Sequence, residues 1–292
     1  MRISTIDIGG TYIKSGVFKD GGIYHTRTTP TESKKGASCI MNTVCKLIDS
    51  HGAIDAIGIS TRGQVDSSHG VIIFDTPDVI PDYTGTPIKQ LIEKRFLVPV
   101  VVENDVNCAA IGEGTYGAAT KYDDFLCLTF GTSIGGAIVM QKQLYHGSSH
   151  SAGEFGMMTF PDLNNSDKFF TYENYASVIA LVNMAKEYDK SLTDGRKIMD
   201  AIQDPFVSKI VDLWCAKVSF GICSLIHVFN PPCIILGGGI MEQAEIINRI
   251  RKTTLSSIAL GFEKVELLPA KLGNTAGMIG AAHLVESSAL RG

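Results

Sequence analysis

The segment IDIGGTYIKSGVF, residues 6–18, places an acid, two glycines, a threonine and a lysine between two apolar segments that alternate as β-strands do. A simple hairpin needs only two turn residues. Glycine lets backbone N–H groups approach an anion, a threonine hydroxyl can donate to phosphate, and an aspartate beside phosphate needs a divalent cation between them. The segment therefore predicts a Mg–nucleotide phosphate site, with a tight, aspartate-capped hairpin as the alternative. The residues of this site are Asp7, Gly9, Gly10, Thr11 and Lys14.

The same pattern returns in LTFGTSIGGAIVMQKQLYHG, residues 128–147: strand, glycine–threonine loop, strand, turn, strand. This weak internal repeat predicts two related α/β domains, residues 1–118 and 119–275, with a helix near 276–292 that packs back on the first. Two such loops can hold a polyphosphate from both sides, although each can also be a plain hairpin. The second loop supplies Gly131, Thr132, Ser133 and Gly135.

A third glycine cluster ends the buried strand of CIILGGGIM, residues 233–241. A strand, glycines and a following helix predict an anion or adenosine site at Gly237, Gly238 and Gly239. The cluster is not GxGxxG, so a dinucleotide is not favoured.

Four polar residues follow the apolar strand in VVVENDVNCAA, residues 100–110: Glu103, Asn104, Asp105 and Asn107. Asp and Asn are favoured helix N-caps, but one cap needs only one such residue. A carboxylate at the end of a strand, facing a phosphate site, is well placed to accept a hydroxyl proton. We therefore predict that Asp105 is a catalytic base.

Two further acids, Glu154 in SAGEFG and Glu173 in TYENYAS, stand among small and aromatic residues. Carboxylates accept two hydrogen bonds and so bind neighbouring sugar hydroxyls well. The alternative for each is a solvated surface glutamate.

The composition limits the class of protein. The 292 residues carry a formal net charge of −4, which does not favour binding to a nucleic-acid backbone. The seven cysteines are scattered without a CxxC pair, which is typical of reduced thiols in a cytoplasmic protein. The first residues read as a strand rather than a secretory signal, and no uninterrupted apolar run has the length of a membrane span.

Periodicity predicts the remaining elements. Helical spacing occurs in residues 36–51, 88–96, 104–117 and most of 172–228, with breaks near 191–195 and 203–205. Apolar segments at 53–60, 98–103 and 124–130 predict strands, and residues 161–172 predict a polar loop. The fold class is therefore α/β with two lobes, and the sites are expected in the cleft between them.

Together these motifs resemble the ROK family (repressors, open reading frames and kinases) of the sugar-kinase, heat-shock-ATPase and actin superfamily. The likeness covers essentially the whole chain, through DIGGTYIKSGV, GISTRGQVD, ENDVNCAA, LTFGTSIGGAIV, AGEFG, IILGGGI and NTAGMIGAA. It implies a two-lobed actin-like (ribonuclease H-like) ATPase fold, with ATP and Mg²⁺ as cofactors. By the resemblance Asp105 is the general base, Asn104, Glu154 and Glu173 hold sugar hydroxyls, and the glycine loops hold the nucleotide.

The sequence departs from the family pattern at three places. Zinc-binding members carry a His where this chain has Met157, followed by a cysteine cluster, and residues 151–214 contain no Cys or His. A family-type zinc site is therefore not expected. A Pro–Gly pair becomes Arg62–Gly63, and Asp78 stands where members often have a sugar-binding Asn. We expect Gly63 and Asp78 to contact the substrate and retune its choice.

The favoured function is ATP-dependent phosphorylation of the 6-hydroxyl of a hexose or hexoside. The zinc-less pattern resembles β-glucoside kinases and proteins assigned as N-acetylmannosamine kinases, and glucose is a third candidate. The alternative is a sugar-binding sensor that kept the fold and lost catalysis. Repressor members carry a DNA-binding domain before the first phosphate motif, which here begins at residue 6, so neither DNA nor membrane is an expected partner. A homodimer is compatible with the sequence.

Overall fold

The computed structural model describes residues 1–76, 78–161 and 169–290. The chain forms two compact units. Unit 1 comprises Met1–Thr120, Leu144–Ala152 and Asn274–Gly292, and unit 2 comprises Lys121–Gln143 and Gly153–Gly273. Both units combine helices with a mixed five-stranded sheet, which confirms the predicted α/β class.

The sheet of unit 1 begins as the predicted antiparallel meander. Its strand order is β3-β2-β1-β4-β7, in which β1 pairs antiparallel with β2 and parallel with β4. A separate short hairpin, β5–β6, follows β4. The strands are β1 (Ile3–Ile8), β2 (Tyr12–Lys19), β3 (Gly22–Pro30), β4 (Ala56–Thr61), β5 (Gln64–Asp66), β6 (Val71–Phe74) and β7 (Val100–Asn104).

Helices cover both faces of this sheet. Helix α1 has apolar residues at Ile40, Val44 and Leu47, a spacing that turns one face of the helix onto the core beside β1, β4 and β7. On the other face, Ala282 and Val285 of the terminal helix pack against β1, β2 and β4. The helices of unit 1 are α1 (Gly36–Asp49), α2 (Ile88–Phe96), α3 (Asp105–Tyr116) and α9 (Ala276–Ala289).

The sheet of unit 2 repeats the strand order of unit 1. The order is β10-β9-β8-β13-β14, with an antiparallel β8–β9 hairpin followed by parallel β13 and β14. The predicted loop at 161–172 is wrong at its ends, because β11 and β12 pair there, and its residues 162–168 lie outside the described ranges. The strands are β8 (Phe125–Phe130), β9 (Ile134–Met140), β10 (Gln143–Leu144), β11 (Thr159–Pro161), β12 (Phe169–Thr171), β13 (Cys233–Gly237) and β14 (Glu266–Pro269).

A long apolar helix, α7, runs through the core of unit 2. By length and hydropathy alone it could cross a bilayer, but half of its most apolar window is buried inside the protein. The Trp214 indole is fully buried and donates to the carbonyl groups of Ala176 and Ser177, contacts typical of a core helix. The helices of unit 2 are α4 (Tyr172–Ala176), α5 (Val178–Tyr188), α6 (Gly195–Asp200), α7 (Pro205–Phe229) and α8 (Ala244–Leu255).

Candidate active site

The acid of the first motif lies at the carboxyl end of β1. Asp7 pairs with Lys14 across the β1–β2 ladder, and the Lys14 ammonium lies 3.4 Å from Asp7 Oδ2. The Ser60 hydroxyl, at the end of the neighbouring β4, donates to Asp7 Oδ1 at 2.7 Å. Asp7 is therefore held between a cation and a hydroxyl, with one carboxylate oxygen beside Lys14.

The first glycine loop is both a tight hairpin and an accessible surface. The Gly9 N–H donates to the Tyr12 carbonyl, and Thr31 ties the loop down by donating from its N–H to Thr11 O and from its hydroxyl to Gly9 O. Thr11 itself is exposed, and its hydroxyl makes no hydrogen bond to the described residues. The hairpin geometry thus leaves a hydroxyl at the tip for a phosphate oxygen.

Helix α3 begins directly at the end of β7, and Asn104 caps it. The Asn104 Oδ1 accepts from the N–H groups of Val106 and Asn107, which are orphan donors of the first turn. Its Nδ2 donates to Gly63 O at 3.0 Å, which leaves one amide hydrogen for a ligand. Gly63 has a φ of +88°, a conformation that glycine adopts readily.

Asp105, the first residue of α3, has the electrostatics of a base. Burial is the main reason that its pKa is raised to about 7, and the charge of Asp7 raises it further. The Val106 N–H and the Arg62 guanidinium act in the opposite direction. A general base works best when its pKa lies near the working pH.

An ion pair beside the first loop was not predicted from the sequence. The Arg62 Nη2 lies 2.9 Å from Asp75 Oδ1, and the Arg62 Nε donates to both oxygens of that carboxylate. Asp75 is buried, and a Cβ on Gly10 would lie 2.7 Å from an Arg62 nitrogen. The guanidinium therefore lies over the loop. The arginine at position 62, where the family pattern has proline, was the one feature of the sequence that could have pointed to this ion pair.

A second unpredicted pair involves Glu103, the residue before the cap. This buried carboxylate accepts from the Asn104 N–H at 2.7 Å and from the Asn107 amide at 3.0 Å, and its other oxygen lies 2.7 Å from His146 Nε2. The hydrogen bond to Glu103 raises the pKa of His146. His146 belongs to the short segment of unit 1 that interrupts unit 2, so no local pattern could have revealed the contact.

The second glycine loop has three residues, as the first does. Residues 131–133 connect β8 and β9, whereas Gly135 and Gly136 lie inside β9 rather than in the loop. A Cβ on Gly136 would overlap the Phe155 ring and the Gly153 carbonyl oxygen. That glycine is therefore needed for packing, while Thr132 and Ser133 are exposed at the tip of the loop.

The third glycine cluster differs from the predicted strand–glycine–helix turn. Gly237 ends β13, a short 3₁₀ helix occupies Gly239–Glu242, and α8 starts only at Ala244. Gly238 has a φ of +103°, and a Cβ there would overlap the Phe130 carbonyl oxygen. Backbone packing against β8 thus accounts for this glycine without a ligand.

The two predicted sugar-binding glutamates lie near each other in unit 2. Burial raises the pKa of Glu154, and the charge of Glu173 raises it further. Glu173 lies against Gly156, where a Cβ would be 3.3 Å from its Oε2. Met157 is exposed between them along the chain. Two carboxylates that repel each other favour a ligand that supplies hydroxyl donors to both.

The remaining predicted contact, Asp78, is less defined. Its side chain is exposed and its carbonyl accepts from the Lys34 ammonium, while the adjacent Val79 would contact a Cβ on Gly10. Across residues 1–76, 78–161 and 169–290, no group of three or more His, Cys, Asp or Glu is placed to hold a metal ion. Mg²⁺ needs fewer protein ligands, since it takes one or two carboxylates together with phosphate oxygens, and the single carboxylate of Asp7 meets that need.

Comparison with known proteins identifies the family. The ROK family profile matches residues 3–288. A β-glucoside kinase from Klebsiella pneumoniae is 31% identical over 97% of this chain and 95% of that protein. The chain therefore belongs to the ROK family.

Solved structures agree with this assignment. A ROK glucokinase from Streptomyces griseus, in complex with glucose and AMPPNP, aligns with a TM-score of 0.83 at 31% identity, covering 97% of this chain and 99% of that one. The Lmo2764 protein from Listeria monocytogenes, whose N-acetylmannosamine kinase activity is a proposed one, aligns with a TM-score of 0.87 at 28% identity, covering 99% and 100%. The α/β, actin-like ATPase fold implied by the resemblance is confirmed.

Proposed function

We propose that this chain is an ATP-dependent sugar kinase that phosphorylates the 6-hydroxyl of a hexose or hexoside. The observation that carries the proposal is Asp105, a carboxylate at the start of α3 whose pKa of about 7 suits a base. It lies in the same unit as the first phosphate loop, and the chain's relatives include a β-glucoside kinase and glucokinases.

In this reaction Asp105 accepts the proton of the sugar hydroxyl as that oxygen bonds to the γ-phosphorus of ATP. The bond between the γ-phosphorus and the β–γ bridging oxygen breaks, and ADP leaves with the electron pair. Mg²⁺, held by Asp7 directly or through water, would neutralise charge on the phosphate oxygens. The three glycine loops would bind the nucleotide, with Thr11 and Thr132 donating to phosphate. Positioning supplies most of the acceleration, because the protein takes little covalent part.

The sugar is proposed to bind through contacts to its hydroxyl groups. Asn104 has one amide hydrogen to donate, and Glu154 and Glu173 accept from neighbouring hydroxyls. Gly63 and Asp78 complete the proposed contacts. The candidate substrates are N-acetylmannosamine, glucose and β-glucosides, and the rival function is a sugar-binding sensor without catalysis.

ADP release with MgATP, measured across glucose, N-acetylmannosamine, N-acetylglucosamine, fructose, cellobiose and an aryl β-glucoside, tests the proposal. Sugar-dependent ADP release that is lost in Asp105→Asn supports it, and the sugar with the highest kcat/KM names the substrate class. Sugar binding by calorimetry without ADP release would support the sensor instead. ATP hydrolysis that no sugar stimulates would contradict both functions.

Two further proposals concern the protein's surroundings. Helix α7 exposes Phe206, Leu213 and Phe220, seven residues apart, on one side of unit 2. Three exposed apolar side chains at this spacing favour a homodimer, which sedimentation equilibrium of the wild type and Phe220→Ser would test. The seven cysteines, which are scattered along the sequence without a CxxC pair, favour a cytoplasmic location.

A further inference from the structure

A cationic cavity lies in unit 1 at the opposite end of β1 from the candidate active site. Its volume is about 270 Å³, and its lining includes Arg2, His25, Arg27 and His51. Arg2 precedes β1 and Asp7 lies near its other end, so the five intervening steps along the strand separate them by about 16 Å. The cavity is therefore distinct from the first phosphate loop.

Two of the four basic side chains are fixed by hydrogen bonds. The Arg2 guanidinium donates to the His51 carbonyl oxygen at 2.7 Å, and the Arg2 N–H donates to Asp55 Oδ2. The His51 ring lies 2.8 Å from the Ser4 hydroxyl through its Nδ1. Arg2 and His51 thus line the cavity in positions that hydrogen bonds hold, at the point where α1 ends beside the sheet.

The other two basic side chains have no partner among the residues that the structure describes. His25 and Arg27 are exposed on β3, and neither side chain makes a hydrogen bond or ion pair with the described part of the chain. None of the six residues that line the cavity carries a carboxylate. Their charges act on the buried imidazole: burial is the main reason that the pKa of His51 is lowered, and Arg2, Arg27 and His25 lower it further.

A β-bulge brings Arg27 to this face of the sheet. Ser15 of β2 pairs with Arg27, but Val17, two residues on, pairs with Tyr24, so β3 carries one extra residue. In a regular ladder Thr26 would oppose Ser15, and Arg27 would point to the other face. His25, inside the bulge, has a φ of +54°, which costs energy for a residue with a Cβ.

A buried hydroxyl on the same strand face as Val17 also lacks a hydrogen-bond partner among the described residues. The Ser15 hydroxyl is fully buried and makes no hydrogen bond within the described residues. By strand alternation Ser15 shares a face of β2 with Val17, which lines the cavity. Basic side chains that converge on a cavity whose lining contains no carboxylate are the features that a bound oxyanion would satisfy.

We propose that Arg2, His25, Arg27 and His51 form a binding site for a small anion that carries a phosphate group. Arginine guanidinium groups bind phosphate through paired hydrogen bonds, and protonated imidazoles add charge. The volume lies just below the range for drug-sized ligands, so inorganic phosphate or a phosphorylated sugar suits it better than a nucleotide. The site does not depend on the proposed kinase activity.

Calorimetric titration of the full chain, without ATP or Mg²⁺, tests this site with inorganic phosphate, glucose 6-phosphate and glucose. We expect the phosphate-bearing probes to bind and glucose not to compete with them. Arg27→Gln should weaken phosphate binding about tenfold or more, because one bidentate cation is lost. Arg196→Gln, which removes an exposed arginine from α6 in unit 2, is the matched control and should leave the affinity unchanged.

The pH dependence gives a second readout. An anion favours protonated His51, whose pKa burial and the neighbouring Arg2 and Arg27 charges lower, so affinity for one charge state of the probe should rise as pH falls to 6 and below, against a constant background from Arg2, Arg27 and the Asp55 carboxylate. Tighter binding of glucose 6-phosphate than of phosphate would identify a sugar phosphate as the ligand, and equal affinities would identify phosphate itself. Both results support the site.

Two outcomes would overturn the proposal. Unchanged affinity in both Arg27→Gln and Arg2→Gln would show that the cavity does not hold the anion. Affinity that is lost in Lys14→Gln and kept in Arg27→Gln would place the anion at the first glycine loop instead. Far-ultraviolet circular dichroism of each variant checks that the chain remains folded.

Discussion

The β1–β2 and β8–β9 hairpins occupy the same position in sheets of the same strand order, yet their surroundings differ. One residue pair before the loop of each hairpin, Asp7 lies opposite Lys14 in unit 1, and Thr129 lies opposite Gly135 in unit 2. An ion pair in one hairpin thus corresponds to an uncharged pair in the other. The shared framework forms the sheets, and the charges that differ between the hairpins decide where the candidate chemistry lies.

The glycines of the two hairpins also serve different purposes. A Cβ on Gly10 would meet mainly the end of the Arg62 side chain, which can move. A Cβ on Gly136 would meet the backbone of Gly153, which cannot. Glycine keeps the first loop open beside a charged group, while in the second hairpin it lets the segment that carries Glu154 cross close to the sheet.

The largest expected effect tests whether unit 1 carries the reaction. Asp105→Asn should reduce kcat by about 10³-fold with little change in sugar affinity, because the isosteric amide cannot accept the proton. A change in the β8–β9 loop of unit 2, Thr132→Ala, should raise KM for ATP several-fold and leave kcat within an order of magnitude. Steady-state kinetics measures both. Near-normal turnover of Asp105→Asn would contradict the assignment of the base.

The same variant has an expected effect on stability that depends on pH. The pKa of Asp105 is raised from 3.8 to about 7 in the folded protein, so wild-type stability falls as pH rises through this interval. Asp105→Asn should therefore be more stable than wild type at pH 8, by at most about 4 kcal/mol, with a smaller difference at pH 5. Urea unfolding at both values measures it, and an equal difference at both would refute the raised pKa.

The glycine comparison predicts unequal costs for the same added methyl group. Gly136→Ala should destabilise the protein by about 3 kcal/mol, because backbone must shift. Gly10→Ala should cost less, about 1–2 kcal/mol, and raise KM for ATP, because the Arg62 guanidinium beside the loop must shift while it still holds Asp75. Thermal unfolding of the two variants measures the cost of packing the added methyl group, and their KM for ATP measures its effect on nucleotide binding. Equal destabilisation would remove the distinction drawn between the two hairpins.

The Arg62–Asp75 pair links stability to the base. Arg62→Met should cost about 3 kcal/mol, since it leaves the buried Asp75 carboxylate unpaired, and Asp75→Asn in the same chain should restore part of that loss. Because the Arg62 charge lowers the pKa of Asp105, its removal should also move the acidic limb of the pH–kcat profile upward. A limb that stays in place would show that the pair acts on folding alone.

The smallest effect concerns His146. Its pKa is raised by Glu103, so its contribution to stability is complete below the unfolded-state pKa of about 6.5 and is lost as pH rises through the higher folded-state value. His146→Gln should therefore be less stable than wild type at pH 6 by about 1 kcal/mol, and the difference should shrink by pH 9. Chemical unfolding at the two pH values checks this, with His283→Gln as the contrast, because burial lowers the pKa of His283 and its contribution to stability should grow as pH rises.

Local patterns were sufficient for most of the fold. Strand alternation, helical spacing and the repeated hairpin predicted the antiparallel start of each sheet and the helices α1, α2 and α3, because each depends on neighbours within a few residues. The prediction of a polar loop at 161–172 was wrong at its ends, where Phe160 and Phe170 pair across two short strands. The sequence there has no alternating pattern that would have indicated those strands.

The sequence by itself determined the α/β class, the family and the candidate residues at the ends of β1 and β7, since those depend on motifs that are continuous along the chain. Only the tertiary structure decided that Arg62 pairs with Asp75, that His146 reaches Glu103, and that a bulge turns Arg27 toward Arg2 and His51. Each of these contacts joins residues that are distant in sequence or depends on strand register. Sequence spacing does not fix such contacts, because the packing of whole elements brings their side chains together.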